Sequence, residues 1–383
     1  MTNPVGPMTP EDEGFNHQVA DTFAVVGTTD LAWTEKVCAM AAARDGSLQL
    51  GFGLGKYNNR NVMDAYAGIS RGVEQITVRA SRALGDTPNT TVIGPIRYEV
   101  VEPLHTIRFV LEANDVQPIA FDWRFEAAFP PAFEDRTHMR TGNRVSSELV
   151  RYHQIGRCTG WVEVDGEVHE MGLDSWVSTR DHSWGVRYDV GLPPQDLAPR
   201  DAMGEFQFFW TPSYLERPDG SAYGLFMFLQ QHRRQGLEHR ATSGMVEHPD
   251  GRIERIVDVV PELSYDPVNR RMLGGRVHAT MADGSTRTLQ VDVVSDTGFH
   301  LGTGLYFGFD GHHHGEWRGQ LHVEGERIAD CSTPEAARRV HQIRDTVVRI
   351  TDPVGGGVGW GNWQPMVTGE WPELGLSADT SFP

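Results

Sequence analysis

The sequence predicts an all-β protein built from two consecutive antiparallel β-barrels with one C-terminal α-helix. Asp-Gly pairs recur at 45–46, 165–166, 219–220, 250–251, 283–284 and 310–311, and Asp-Gly suits the positive φ angles of two-residue hairpin turns. Long helical periodicity is nearly absent. The 383 residues exceed what one hydrophobic core usually holds, and many short strands avoid open edges by closing into barrels.

The elements follow in order along the chain. Residues 161–171, 251–260 and 281–294 alternate in the manner of hairpins. The proline-rich segment 190–201 interrupts the strand pattern, which resumes at 204–210. We therefore expect an N-terminal extension (1–29), an N-terminal barrel (30–192), a C-terminal barrel (193–352) and a C-terminal extension rich in Gly and Trp (353–383).

One segment has helical spacing. Thr333 is a candidate N-cap and Pro334 suits the first turn of a helix. Ala337, Val340, Ile343 or Arg344, and Val347 recur at helical spacing. This pattern predicts the single helix near 333–350, at the end of the second barrel.

The composition limits the partners. The chain has 34 Lys+Arg against 52 Asp+Glu, and this net charge of −18 argues against nucleic acid. No stretch approaches the ~20 apolar residues of a membrane helix, and no signal-peptide pattern opens the chain, so we expect a cytoplasmic protein without membrane insertion. Cys38, Cys158 and Cys331 lie far apart, which indicates neither disulfides nor a thiolate zinc site.

The densest cluster of chemical groups is STRDHSWGVRYD at 178–189. On a strand, Asp181 and Ser183 share one face, and Arg180, His182 and Trp184 share the other. If the first set faces a barrel interior, burial favours the neutral form of Asp181 and makes it a usable proton donor. The alternative is an Arg-Asp ion pair that joins strands, with Trp184 in the core.

A second cluster is GHHHGEWRG at 311–319. Adjacent strand residues point to opposite faces, so only His312 and His314 could converge, and no second cluster at ligand spacing supports a metal site. One histidine facing a cavity could bind or transfer a proton; a polar strand end is the alternative. The glycines of 48–61 do not fit the dinucleotide fingerprint. The sequence therefore predicts no metal and no cofactor.

Aromatic residues could line a ligand cavity. The chain has 10 tryptophans. A barrel of about eight strands can hold one small ligand, and aromatic faces stabilise cations. Ordinary core packing is the alternative for each residue. The candidate substrate-binding residues are Arg180, Trp184, Arg187, Trp176, Trp210, Phe208 and Trp317.

The motif Arg180-Asp181-His182-Ser183-Trp184-Gly185, within 151–187, resembles the signature of the AttH and carotenoid 1,2-hydratase (hydroxyneurosporene synthase) superfamily. The segment 302–328 is also similar to that superfamily, and the likeness extends from about residue 30 to 350. The resemblance implies two lipocalin-like barrels. It also implies cofactor-free addition of water to an isoprenoid double bond, with a carboxylic acid that protonates the alkene; more distant relatives cyclise polyenes.

The leading hypothesis is a cofactor-independent hydratase, dehydratase or isomerase that acts on a C=C bond of an apolar terpenoid, steroid-like or aromatic molecule. Asp181 is the expected general acid, His182 or His314 positions or deprotonates water, and Tyr306 assists by hydrogen bonding. The alternatives are a polyene cyclase that uses the pocket as a template and a lipocalin-like carrier without catalysis. The expected partner is a hydrophobic substrate, with homodimer formation left open.

Overall fold

The computed structural model describes residues 10–14, 26–85, 90–141, 143–192 and 204–382. Within these ranges the protein is all-β, with two barrel-shaped sheets and one α-helix, which confirms the predicted fold class. The strands up to residue 186 are β1 (Trp33–Ala43), β2 (Gln49–Tyr57), β3 (Val62–Arg71), β4 (Glu74–Ala83), β5 (Val92–Ile93), β6 (Ile96–Glu102), β7 (Thr106–Leu111), β8 (Ile119–Ala127), β9 (Ala132–Phe133), β10 (Thr137–Thr141), β11 (Arg144–Val164), β12 (Glu167–Met171) and β13 (Trp176–Val186).

The remaining strands follow residue 204. They are β14 (Glu205–Trp210), β15 (Ser213–Glu216), β16 (Ala222–Arg234), β17 (Leu237–Glu247), β18 (Ile253–Tyr265), β19 (Met272–Met281), β20 (Thr286–Val293), β21 (Phe299–His300), β22 (Leu321–Ile328), β23 (Arg344–Asp352), β24 (Gly357–Trp363) and β25 (Met366–Thr368). Short 3-10 helices lie at Pro10–Glu13, Asn58–Arg60, Leu301–Gly304, Pro372–Leu374 and Ala378–Thr380.

The strands form two antiparallel sheets. The first has the order β22-β4-β3-β2-β1-β13-β11-β8-β7-β6-β5, with β9, β10 and β12 paired to β11, and is nearly closed. The second has the order β15-β24-β23-β20-β19-β18-β17-β16-β14-β25, with β21 paired to β23. Strand β15 also pairs with β16, which closes the second sheet into a barrel.

Sheet membership does not follow the chain strictly. Strand β22 lies in the range assigned to the second barrel but pairs with β4 of the first sheet. Strands β24 and β25, from the range assigned to a C-terminal extension, are part of the second sheet. The glycines of β24 permit close strand contact: a Cβ on Gly359 would lie 2.0 Å from the carbonyl oxygen of Tyr214. The domain boundaries themselves stay a prediction.

The extent of the predicted helix, 333–350, is wrong. The helix α1 spans Pro334–Val340, and the Thr333 hydroxyl accepts a hydrogen bond from the backbone N–H of Ala336 at 3.2 Å. His341, with a φ of 64°, ends the helix. The residues from 344 onward form β23, because a run of β-branched side chains favours a strand. In the described part of the chain, every helix is too short or too polar to span a lipid bilayer.

Each sheet encloses its own apolar core, and a third set of contacts joins the two. Phe109 and Trp123, with ring centroids 4.7 Å apart, lie in the first core. Leu225 and Trp363 lie in the second. The contact between the barrels contains Ala42, Phe129, Ile155, Val177, Tyr214 and Val347.

Candidate active site

A cavity of about 730 Å³ lies between the two barrels. Strands β1, β11 and β13 of the first sheet form one side, and β14, β16 and β25 of the second sheet form the other. Most of its wall is apolar and aromatic, as a site for a small apolar ligand requires. The main apolar residues are Met40, Leu149, Phe206, Phe208, Phe228 and Met366.

Strand alternation directs Asp181 into this cavity. In the β1–β13 register Asp181 pairs with Cys38, and both line the cavity. The neighbouring Arg180 forms an ion pair with Glu13 at 2.6 Å and packs over the Phe125 ring of the first core. The face that carries Asp181 therefore points toward the second barrel, whereas the face that carries Arg180 points toward the interior of the first.

The surroundings of Asp181 combine burial with a nearby cation. Burial raises the pKa of Asp181 above its ordinary value. Its Oδ2 lies 3.8 Å from Nε of Arg151, whose positive charge opposes that rise. Arg180 has its ion pair with Glu13, and the Arg–Asp ion pair between strands is formed instead by Arg151 of β11 and Asp181 of β13.

Asp345 is a second cavity carboxyl, and the sequence analysis missed it. Its Oδ1 accepts a hydrogen bond from Nε2 of Gln364 at 3.0 Å, and its Oδ2 is buried without a hydrogen-bond partner among the described residues. Burial, with a further contribution from the charge of Asp181, raises the pKa of Asp345 to about 8. At neutral pH this side chain is therefore mostly a protonated acid that faces the cavity.

Tyr306 and Cys38 bring a phenol and a thiol to the same cavity. The Tyr306 hydroxyl lies 3.0 Å from Sγ of Cys38. Nζ of Lys36, which is not a lining residue of the cavity, lies 4.1 Å from the centroid of the Tyr306 ring. The ammonium group is thus held against the aromatic face as a cation–π contact.

His314 lies behind Tyr306 and does not line the cavity. Nζ of Lys36 donates a hydrogen bond to Nε2 of His314 at 2.8 Å, and Nδ1 of His314 lies 3.7 Å from Oδ2 of Asp64. Burial lowers the pKa of His314 to about 4 and that of Lys36 to about 8. The imidazole is therefore neutral at pH 7 and accepts from Lys36, so His314 can act on the cavity only through other side chains.

The other predicted residues fall into two groups. Arg187, Phe208 and Trp210 line the cavity together with Asp181 and Tyr306, and Arg180 borders it. The remainder lie elsewhere: His182 is buried between Glu35 and Tyr152, Trp184 packs beside Tyr152, Trp176 lies in the first core, and Trp317 is 55% exposed. In the part of the chain that is described, no three His, Cys, Asp or Glu side chains form a metal-binding group.

The missed residues carried a weak signal in the sequence. Asp345 precedes the β-branched run of β23, and Lys36 lies inside the apolar strand β1. A charged residue at a buried strand position is unusual unless it is paired or functional. Once 344–350 is interpreted as a strand, Asp345 shares a face with Val347, which packs between the barrels.

Comparison with solved structures supports the fold. The chain is similar to an AttH-like protein from Nitrosomonas europaea, with 13% identity, a TM-score of 0.53 and coverage of 87% of this chain and 92% of that chain. This likeness confirms the resemblance to the AttH superfamily at the level of the fold.

Two further likenesses are weaker. Kievitone hydratase from Nectria haematococca shows 9% identity, coverage of 96% of this chain and 95% of that chain, and a TM-score of 0.45. CghA with Sch210972 shows 12% identity, coverage of 88% of each chain and a TM-score of 0.47. No curated protein matches the sequence.

The family assignment comes from the sequence itself. A family of unknown function, DUF8625, matches residues 8–371 and thus includes both sheets and every residue of the cavity. The chain therefore belongs to the DUF8625 family, and its fold is similar to that of the AttH-like protein.

Proposed function

We propose that the protein is a hydratase, dehydratase or isomerase that acts on a C=C bond of an apolar small molecule by proton transfer in the cavity between the barrels. The observation that carries the proposal is Asp345, a carboxyl that stays protonated near neutral pH and faces an aromatic cavity of about 730 Å³. A proton donor must hold its proton at working pH, and an ordinary aspartate does not.

Two cavity carboxyls in different surroundings suit acid–base chemistry. Asp345 has only an amide donor beside it, whereas Asp181 has the Arg151 guanidinium within 3.8 Å, which favours its ionised form. Groups whose pKa values are pushed apart can serve as acid and base in one site. We assign the donor role to Asp345 and the base role to Asp181, the residue that the sequence indicated as the acid.

Hydration begins with protonation of the alkene by Asp345. The Asp345 proton is transferred to one alkene carbon, and the π electrons form the new C–H bond, which leaves a cation on the adjacent carbon. A water oxygen bonds to that carbon as Asp181 takes the proton from water. Dehydration is the reverse, and loss of a different proton from the cation gives an isomer. The π faces of Phe208, Phe228 and Trp210 stabilise the cation.

The test is turnover by matched Asn variants. Purified protein is incubated with a panel of terpenoid, steroid-like and aromatic alkenes and the corresponding alcohols in oxygen-labelled water. Because general acid–base catalysis contributes about 10²–10⁴ in rate, Asp345→Asn and Asp181→Asn should each lower kcat at least about a hundredfold. Asp174→Asn, at a fully exposed carboxyl, is the control and should keep wild-type turnover.

Three results would refute the proposal. Wild-type turnover in Asp345→Asn would exclude that carboxyl as the donor. Retention of an unaltered ligand, with neither label incorporation nor isomer formation across the panel, would identify the protein as a carrier. A rate that depends on the aromatic wall and on neither carboxyl would favour the template cyclase.

A further inference from the structure

Three guanidinium groups border the cavity, and they differ in their partners. Arg180 is paired with Glu13 at 2.6 Å, and Arg151 with Glu134 at 3.4 Å. Arg187 has no carboxylate within ion-pair distance among the described residues; its side chain donates one hydrogen bond, from Nη2 to Oγ of Ser183 at 2.6 Å. Its Nε is buried and has no hydrogen-bond partner in the described structure.

None of the described acids of the cavity forms an ion pair with Arg187. Asp345 keeps its proton up to about pH 8, and Asp181 has its ion-pair contact with Arg151. Asp189 has its own contact, with Nδ1 of His313 at 3.2 Å. Arg187 therefore supplies a positive charge without a carboxylate partner among the described residues to a mostly apolar cavity, and a half-buried guanidinium with free N–H groups is a donor for an oxyanion.

We propose that Arg187 binds an acidic oxygen of the substrate, so that the substrate is an apolar unsaturated molecule with one carboxylate, enolate or phenolate group. This inference rests on the proposed function, because it names the substrate of the same cavity. It adds a binding role and a chemical class to a residue that touches none of the reacting atoms.

The position of Arg187 also places the anionic group on the same side of the cavity as the proposed base. The guanidinium reaches back along β13 to Ser183, which lies two residues from Asp181 on the same face of the strand. Arg187 and Asp181 both line the cavity, so one small molecule can contact both.

The net charge of the whole chain cannot produce a preference for anionic ligands. With a net charge of −18, the protein as a whole repels anions. Any preference for an acid over its neutral ester must therefore arise inside the cavity. A charge-assisted hydrogen bond is strong enough to change affinity about tenfold or more.

The experiment compares cis-parinaric acid with its methyl ester, two fluorescent probes that share the same apolar chain. Wild-type protein should bind the acid at least about tenfold more tightly than the ester. The Arg187→Gln variant should bind the acid and the ester equally, with the same affinity for the ester as wild type. The Arg187→Lys variant should keep part of the preference for the acid. Arg252→Gln, at an exposed arginine, removes one charge elsewhere and should keep all of it. Circular dichroism verifies that each variant is folded.

Two outcomes would overturn the inference. In the first, wild-type protein shows no preference for the acid over the ester, or binds neither probe. In the second, the Arg187→Gln variant still prefers the acid. The proposed function fails separately. Acid preference that depends on Arg187, without turnover of any alkene, removes the catalytic proposal and leaves the binding site. Turnover that depends on Asp345, without a preference for the acid, keeps the catalytic proposal and removes the Arg187 binding site.

Discussion

At the scale of single residues, Asp345 and Asp181 form one titrating system. Burial is the main reason why Asp345 keeps its proton, and the charge of Asp181 adds to it. Each carboxyl therefore responds to substitution of the other, as expected for acids that share a cavity.

This coupling predicts the pH dependence of activity. With Asp345 as the donor, activity is retained below its pKa of about 8 and is lost as the pH rises through that value. Asp181→Asn removes the repulsion that helps to raise this pKa, so in its residual activity the alkaline limit should move to lower pH. The measurement is kcat against pH for both proteins. An alkaline limit that stays in place in the variant would contradict the coupling.

Individual residues were predictable only in part. The motif at 180–185 led to Asp181, because alternation on a strand requires no knowledge of the partner strands. Asp345 could not be found in this way, because the helical spacing of Val340 and Val347 concealed the strand in which it lies. His314 was selected for its chemistry, but Lys36, which donates a hydrogen bond to it, belongs to a distant strand.

At the scale of elements, the 3-10 helix Pro10–Glu13 brings a carboxylate into the first barrel. Glu13 accepts hydrogen bonds from the Tyr98 hydroxyl at 3.0 Å and from the backbone N–H of Leu104 at 2.6 Å, besides its ion pair with Arg180. Burial alone would raise the pKa of Glu13, but the Arg180 guanidinium holds it below the ordinary value. A short segment before the first strand thus contributes to the core.

Glu13→Gln should therefore destabilise the protein. The substitution leaves the Arg180 cation buried without its partner, and removal of one member of a buried pair costs about 3–5 kcal/mol. Urea denaturation followed by fluorescence measures the effect, with exposed Glu170→Gln as the control. Because the pKa of Glu13 is lowered, the stabilisation is present above the unfolded pKa and is lost as the pH falls through the folded one. Equal denaturation midpoints at pH 7 would contradict this role.

At the scale of the whole molecule, a buried charge cluster joins the two barrels. His153 on β11 lies between two carboxylates: its Nε2 is 2.7 Å from Oε1 of Glu247 on β17, and its Nδ1 is 3.4 Å from Oε1 of Glu134. Burial alone would lower the pKa of His153, but the two carboxylates raise it to about 9. The imidazolium thus connects strands of different sheets.

His153→Gln should destabilise the protein by about 3–5 kcal/mol, since it leaves Glu247 buried without its cation and removes one of the two cations beside Glu134. For a histidine with a raised pKa, the stabilisation is fully present below the unfolded pKa of about 6.5 and is lost as the pH rises through about 9. Thermal unfolding between pH 6 and 10 should show the variant converging on wild type. The control is His248→Gln, at a partly exposed ion pair; a gap that does not narrow with pH would refute the charge argument.

The architecture was predictable from length and turn chemistry, but the cavity was not. Asp-Gly turns and alternation indicated antiparallel barrels. The faces that two barrels turn toward each other depend on which side of each strand is apolar enough to pack. In β1 both sides are buried, since Ala39 faces the first core and Met40 faces the cavity. Such a strand gives no signal of which face lies inside.

Strand β22 has a consequence for biosynthesis. Its pairing of Ile328 with Gln75 completes the first sheet only after most of the second has been translated. Until then the backbone of Glu74–Ala83 is an open edge on the nascent chain, where a foreign strand can add. A fragment ending at residue 192 would keep that edge permanently. The first sheet is therefore complete only when the chain has been translated through β22.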